Sequence, residues 1–193
     1  MKKKVVLKSS ILAVAAGLSV FAINSVFADE LPVQFMGVND FHGALEQTGT
    51  ARLEGETVKN AGTAPLLATY LNDSQKDFET ESAGTPNASI RVQAGDMVGA
   101  SPANSALLQD EPTVKVFNEM NFEYGTPGNH EFDEGLAEYN RIMKGEAPTP
   151  GQFNKIVDEY PHEASKQEVV IANLVDKDTN KIPFDWKPYA IKE

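Results

Sequence analysis

The sequence predicts an α/β protein with a largely parallel sheet. Four short strand-like stretches alternate with segments of helical periodicity, the pattern of strand-crossover-strand units. Each stretch runs into a cluster of polar residues, and the carboxyl ends of strands are where such sheets bind ligands. The last stretch is continuously apolar, as in a strand covered on both faces.

The first strand is Val33 to Val38 (VQFMGV), ending in Asn39-Asp40-Phe41-His42-Gly43. Thr48 to Asn60, rich in Gly, Thr and charge, reads as a loop. Thr63 caps a helix with Pro65 in its first turn, and Leu67, Tyr70, Leu71 and Phe78 share one face at spacings of three, four and seven. After a second loop, Thr80 to Asn87, the residues Ile90, Val92 and Ala94 alternate with Arg91 and Gln93 and lead into Gly95-Asp96. Pro112 opens a second helix with Val114, Phe117 and Met120 on one side. Phe122 to Tyr124 forms a short third strand that passes through Gly125-Thr126-Pro127 into Gly128-Asn129-His130. A third helix covers Glu134 to Lys144, with Leu136, Tyr139 and Met143 inward and Gly145 as its stop. Glu146 to Gln152 reads as a loop, and Val169 to Ala172 is the fourth strand, ending at Asn173. The chain has no internal repeat and no heptads.

The N-terminus reads as a secretory signal peptide over residues 1–28. Lys2, Lys3, Lys4 and Lys8 precede an apolar run from Ile11 to Ile23, and small residues mark a cut after Ala28. The run is short of the roughly 20 residues a bilayer span needs, so no transmembrane segment is expected after cleavage. Cleavage takes the formal charge from -11 to -15, because the segment carries four lysines and no acid. So acidic a chain is a poor partner for nucleic-acid polymers or anionic membranes and a good one for divalent cations. The absence of cysteine rules out disulfides and thiolate ligands, which leaves His, carboxylate and amide groups to hold metal.

Those groups stand at the strand ends. Asp40-x-His42 puts a carboxylate and an imidazole on the same side of an extended chain. Gly-Asp follows the second strand, and Asn129 offers a neutral amide oxygen that adds no charge to a site already holding carboxylates. The order Asp-x-His, Gly-Asp, Gly-Asn-His-Glu resembles the calcineurin-like metallophosphoesterases. Asn39-Asp40-Phe41-His42-Gly43, Ala94-Gly95-Asp96 and Gly128-Asn129-His130-Glu131-Phe132-Asp133 together resemble, more narrowly, the secreted 5'-nucleotidase family.

The resemblance, which runs from about Pro32 to the last residue, implies a four-layer α/β/β/α sandwich, of which residues 29–193 form the N-terminal half. It also implies two divalent metal ions, zinc or manganese first and iron, cobalt or magnesium as alternatives. Asp40 and His42 would hold the first, Asp96 would bridge both, and Asn129 would hold the second. His130 would be catalytic, donating a hydrogen bond or proton where negative charge builds up. Asp133 would receive its other ring N–H, the alternative being a capping residue for the helix that follows. The implied reaction is extracellular hydrolysis of AMP-like nucleotides by a two-metal-activated water. Further histidines and a nucleoside-binding domain of the family have no counterpart here, so the chain is expected to be a truncated product, weak in metal binding and poor in turnover. Relatives acting on 2',3'-cyclic nucleotides, 3'-nucleotides or nucleotide sugars share the same motifs. A non-catalytic metal-binding or adhesion protein at the cell surface is the alternative from another class. His162 matches no motif and reads as a solvated surface histidine, Asn173 as a supporting hydrogen-bond partner at the rim, and Trp186 with its aromatic neighbours as packing.

Overall fold

The structure, a computed structural model, describes residues 31–192, so the expected signal peptide lies outside the described residues. Four parallel strands form one sheet: β1 (Val33–Val38), β4 (Ala88–Gln93), β5 (Tyr124–Gly125) and β6 (Glu168–Val169), in the order β1-β4-β5-β6. A separate antiparallel hairpin, β2 (Gly49–Leu53) and β3 (Glu56–Ala61), precedes helix α1 (Ala64–Glu81). Between β4 and β5 lie the short α2 (Ala103–Ala106) and α3 (Glu111–Glu119). A single 3-10 turn (His130–Phe132), α4 (Leu136–Lys144) and the short α5 (Lys155–Asp158) separate β5 from β6.

α1 starts where the Thr63 hydroxyl accepts the Leu66 N–H at 3.4 Å and Pro65 occupies the first turn. It packs on the sheet face that carries Gln34 and Arg91: Gln34 donates to Ser74, and the buried Arg91 guanidinium donates to Asn72, Gln75 and the Met120 carbonyl. The opposite face of β1 presents Val33 and Phe35, the latter 68% exposed. The apolar core joins Met36, Phe41, Met97, Val114, Phe117, Phe122, Tyr139 and Met143. Its centre is Phe117, whose ring meets Phe41 edge-on at 5.0 Å and Phe122 at 4.4 Å. Trp186 packs against this core and meets Tyr139 edge-on at 5.8 Å, in line with a packing role.

Several expectations are corrected. The Thr48 to Asn60 stretch holds the β2–β3 hairpin, which escapes a hydrophobic-pattern reading because both of its faces are largely solvated. Tyr70 is exposed, while Leu71 and, at the helix start, Ala64 are buried, so the apolar stripe is narrower than its spacing suggests. The third helix begins at Leu136 rather than Glu134. The third and fourth strands are two residues each, the fourth continued by an isolated bridge from Val170 to Lys187. His162 is no surface histidine: its Nδ1 lies 2.6 Å from Glu111 Oε2, beside the buried Arg141 that also pairs with Glu111 and Glu138. Asn173 is exposed.

Candidate functional site

The polar strand ends meet at one rim. The loop after β1 runs alongside the loop after β4, with Asp40 N–H donating to Gly95 O, His42 N–H to Asp96 O and Gly43 N–H to Met97 O at 3.0–3.2 Å. These bonds extend the strand pairing beyond the sheet and fix Asp40 and His42 against Asp96. The two side chains do not share a strand face, as the sequence reading supposed. Asp40 and His42 both have positive φ (53° and 47°), so they lie on a tight left-handed turn, not on extended chain. The turn nonetheless brings Asp40 Oδ1 to 3.8 Å from His42 Nε2.

Asp96, also at positive φ, is largely buried. Its Oδ1 accepts the His130 N–H at 3.0 Å, which ties the second loop to the third. The two loops touch backbone to backbone. A Cβ on Gly95 would stand 2.8 Å from Gly128 Cα, and one on Gly128 would run into the Asp96 carboxylate, so neither position admits a side chain. Asn129 lies between Gly128 and His130 and is exposed.

One ligand atom each from His42, Asp96 and His130 falls within 4.8 Å of the other two. His42 Nδ1 lies 2.8 Å from the Gly99 carbonyl, which can only accept. Nδ1 therefore carries the proton, and Nε2 is left with its lone pair facing Asp40 and Asp96. The donor set fits a divalent cation: imidazole nitrogen with carboxylate oxygen suits zinc, manganese and related ions, and the acceptor nitrogen is already oriented. His130 Nδ1 is 2.7 Å from Asp133 Oδ2. That hydrogen bond, helped by the nearby charges of Asp133, Asp96 and Glu131, holds the imidazole above its ordinary pKa despite partial desolvation. The helix after this turn is preceded by Gly135, so Asp133 is not its cap.

Glu131, which follows His130 in the motif, is 2% exposed and meets four backbone N–H groups of the rim. Its Oε1 accepts the Met97 N–H at 2.8 Å, and the Val98 N–H lies 3.4 Å away. Its Oε2 accepts from Asp96 N at 3.0 Å and Gly128 N at 2.5 Å. One carboxylate thus joins the Asp96 loop to the Asn129 loop. The only sequence signal was its place directly after His130, which does not separate a surface acid from a buried one.

No family model matches the chain. A cell wall protein of Listeria monocytogenes is 51% identical over 167 residues, covering 86% of this chain and 20% of that protein. The Acinetobacter calcoaceticus protein described as "Uncharacterized protein in pqq-V 5'region" is 33% identical over 162 residues, 79% of this chain and 74% of that protein. Among solved structures, the NAD nucleotidase (NadN) of Haemophilus influenzae matches with a TM-score of 0.57 and 26% identity, over 82% of this chain and 24% of that one. The chain therefore spans about a fifth of the Listeria protein and about a quarter of the nucleotidase. A parallel sheet bearing Asp-x-His, Gly-Asp and Gly-Asn-His-Glu at its strand ends is the N-terminal portion of a metallophosphoesterase fold. Within that superfamily the chain is a 5'-nucleotidase-like N-terminal portion.

Proposed function

We propose that residues 29–193 are the N-terminal, metal-holding part of a secreted or cell-wall-associated enzyme that hydrolyses phosphate monoesters of nucleotides. The observation that carries this reading is the convergence of His42, Asp96 and His130 within 4.8 Å, with Asp40 beside His42. The nucleotidase likeness supports the nucleotide substrate, and the Listeria relative supports the surface location. Among the described residues no helix is long and apolar enough to cross a membrane.

In this reading Asp40 and His42 would hold one divalent cation and Asn129 would help hold a second, with Asp96 available to both. Bound there, the pair supplies a nucleophilic water and charge neutralisation at the phosphate. His130, hydrogen-bonded to Asp133, donates toward the phosphate oxygens, and Glu131 holds the two loops at a fixed separation. With Asp96 shared, each cation has at most about three of these ligands, fewer than a stable pair takes, so these residues on their own hold cations weakly.

The test is a Mn²⁺ titration of the purified chain, followed by addition of AMP with the ³¹P linewidth as readout. The chain is expected to bind Mn²⁺ and broaden the AMP signal, with both effects lost in H42A and D96N. Phosphate release from AMP should stay close to background. A wild-type chain that takes up no Mn²⁺, or variants that bind as well as wild type, would remove the basis of the reading.

A further inference from the structure

Asp110 lies outside every motif that led to the site. It precedes α3 and is largely buried, yet its backbone is left-handed (φ 58°), directly after Gln109 at φ 54°. Consecutive non-glycine residues in this region are unfavourable and persist only where surrounding contacts impose them. The contacts are made by the Asp110 side chain. Its Oδ1 accepts the Ser105 hydroxyl at 2.6 Å, and Ser105 in turn meets the Thr113 hydroxyl at 2.9 Å, both residues fully buried. Its Oδ2 accepts the N–H of Gly99 at 3.0 Å.

Gly99 lies against both histidines of the site. Its carbonyl takes the Nδ1–H of His42, and its Cα faces His130: a Cβ there would stand 2.8 Å from His130 Cβ and 2.9 Å from Asp133 Oδ2. Gly99 has φ +76°, and its carbonyl is also approached by Ser101 Oγ at 3.4 Å. The Asp110 carboxylate holds the N–H on one side of the Gly99 Cα, and the carbonyl on its other side, in the next peptide unit, meets His42. That peptide decides which nitrogen of His42 keeps its lone pair.

We propose that Asp110 is a positioning residue for the cation site, acting through the Gly99 backbone, whose two flanking peptides it and His42 grip, to hold His42 in the Nδ1–H tautomer with Nε2 free to bind metal. The inference rests on the reading of His42 as a ligand, but its first readout needs no metal. In the cation-free chain, ¹⁵N shifts of the His42 ring are expected to show a single Nδ1–H tautomer. D110G, which suits the left-handed backbone while removing the carboxylate, is expected to give mixed tautomers and to weaken Mn²⁺ binding about tenfold, the lower end of what loss of an outer-shell partner does to metal affinity. D110N, able to accept from Gly99 and tolerant of positive φ, is expected to restore both. S105A removes the other half of the Asp110 clasp and should lower stability while leaving the His42 tautomer unchanged. A wild-type chain with His42 protonated on Nε2 overturns the proposal without any variant. So does a folded D110G chain that keeps the wild-type tautomer, which would make Asp110 structural only. Absence of Mn²⁺ binding in wild type with the expected tautomer behaviour would sink the metal reading and leave the positioning intact.

Discussion

Glu131 shows how much of the site depends on a residue that touches no reacting group. Replacing it with Gln keeps the shape and one acceptor but turns an NH₂ toward at least one pair of the backbone N–H groups that now share the carboxylate. Leaving buried donors unpaired costs about 1–3 kcal/mol. E131Q is therefore expected to lower unfolding stability by at least about 2 kcal/mol in urea denaturation, and to weaken Mn²⁺ binding as the Asp96 and Asn129 loops separate. Stability within about 0.5 kcal/mol of wild type would contradict the clamp. His130 offers a second measurement. Its pKa is raised, first by the hydrogen bond to Asp133, so the favourable interaction is present at low pH and is lost as pH rises through the folded-state value. D133N removes that partner, and the His130 titration midpoint, followed by NMR in the cation-free chain, should fall below the wild-type one. An unchanged or higher midpoint would show that the pair does not govern the imidazole.

At the scale of elements, the legible parts were those where one pattern met one environment. β1 and β4 end where their apolar or alternating runs end, α1 opens at Thr63 and Pro65, and α4 stops at Gly145. The strand-end motifs were legible too, since Asp40, His42, Asp96 and His130 converge. What stayed hidden has physical causes. The turn carrying Asp40 and His42 is left-handed in non-glycine residues, a conformation no local pattern announces. Glu131, Asp110 and His162 are polar residues drawn out of solvent by partners 11 to 51 positions away in the chain, and composition alone sends such residues to the surface. The β2–β3 hairpin has neither a buried face nor a place in the core. Replacing residues 49–61 by a short Gly-Ser connection is accordingly expected to change unfolding free energy by less than about 1 kcal/mol, since its flanks at Gln47 and Gly62 already lie together. A larger loss in urea denaturation would mean that the hairpin supports the fold.

For the whole molecule, an acidic chain without disulfides would, on the proposed reading, draw conditional stability from bound cations. A ligand that binds only the folded state at a hundred times its Kd adds about 2.7 kcal/mol. Thermal melts should therefore shift upward with Mn²⁺ or Zn²⁺, and the shift should shrink as NaCl screens the acidic surface. It should vanish in D96N. A melting temperature that ignores both cations would leave the rim without a use. The abutting Gly95 and Gly128 carry a last implication. Because peptide meets peptide there with no side chain between them, the gauge between the Asp96 and Asn129 positions is a main-chain dimension. Repacking the interior can loosen or tighten the rest of the molecule, but it has little leverage on that spacing.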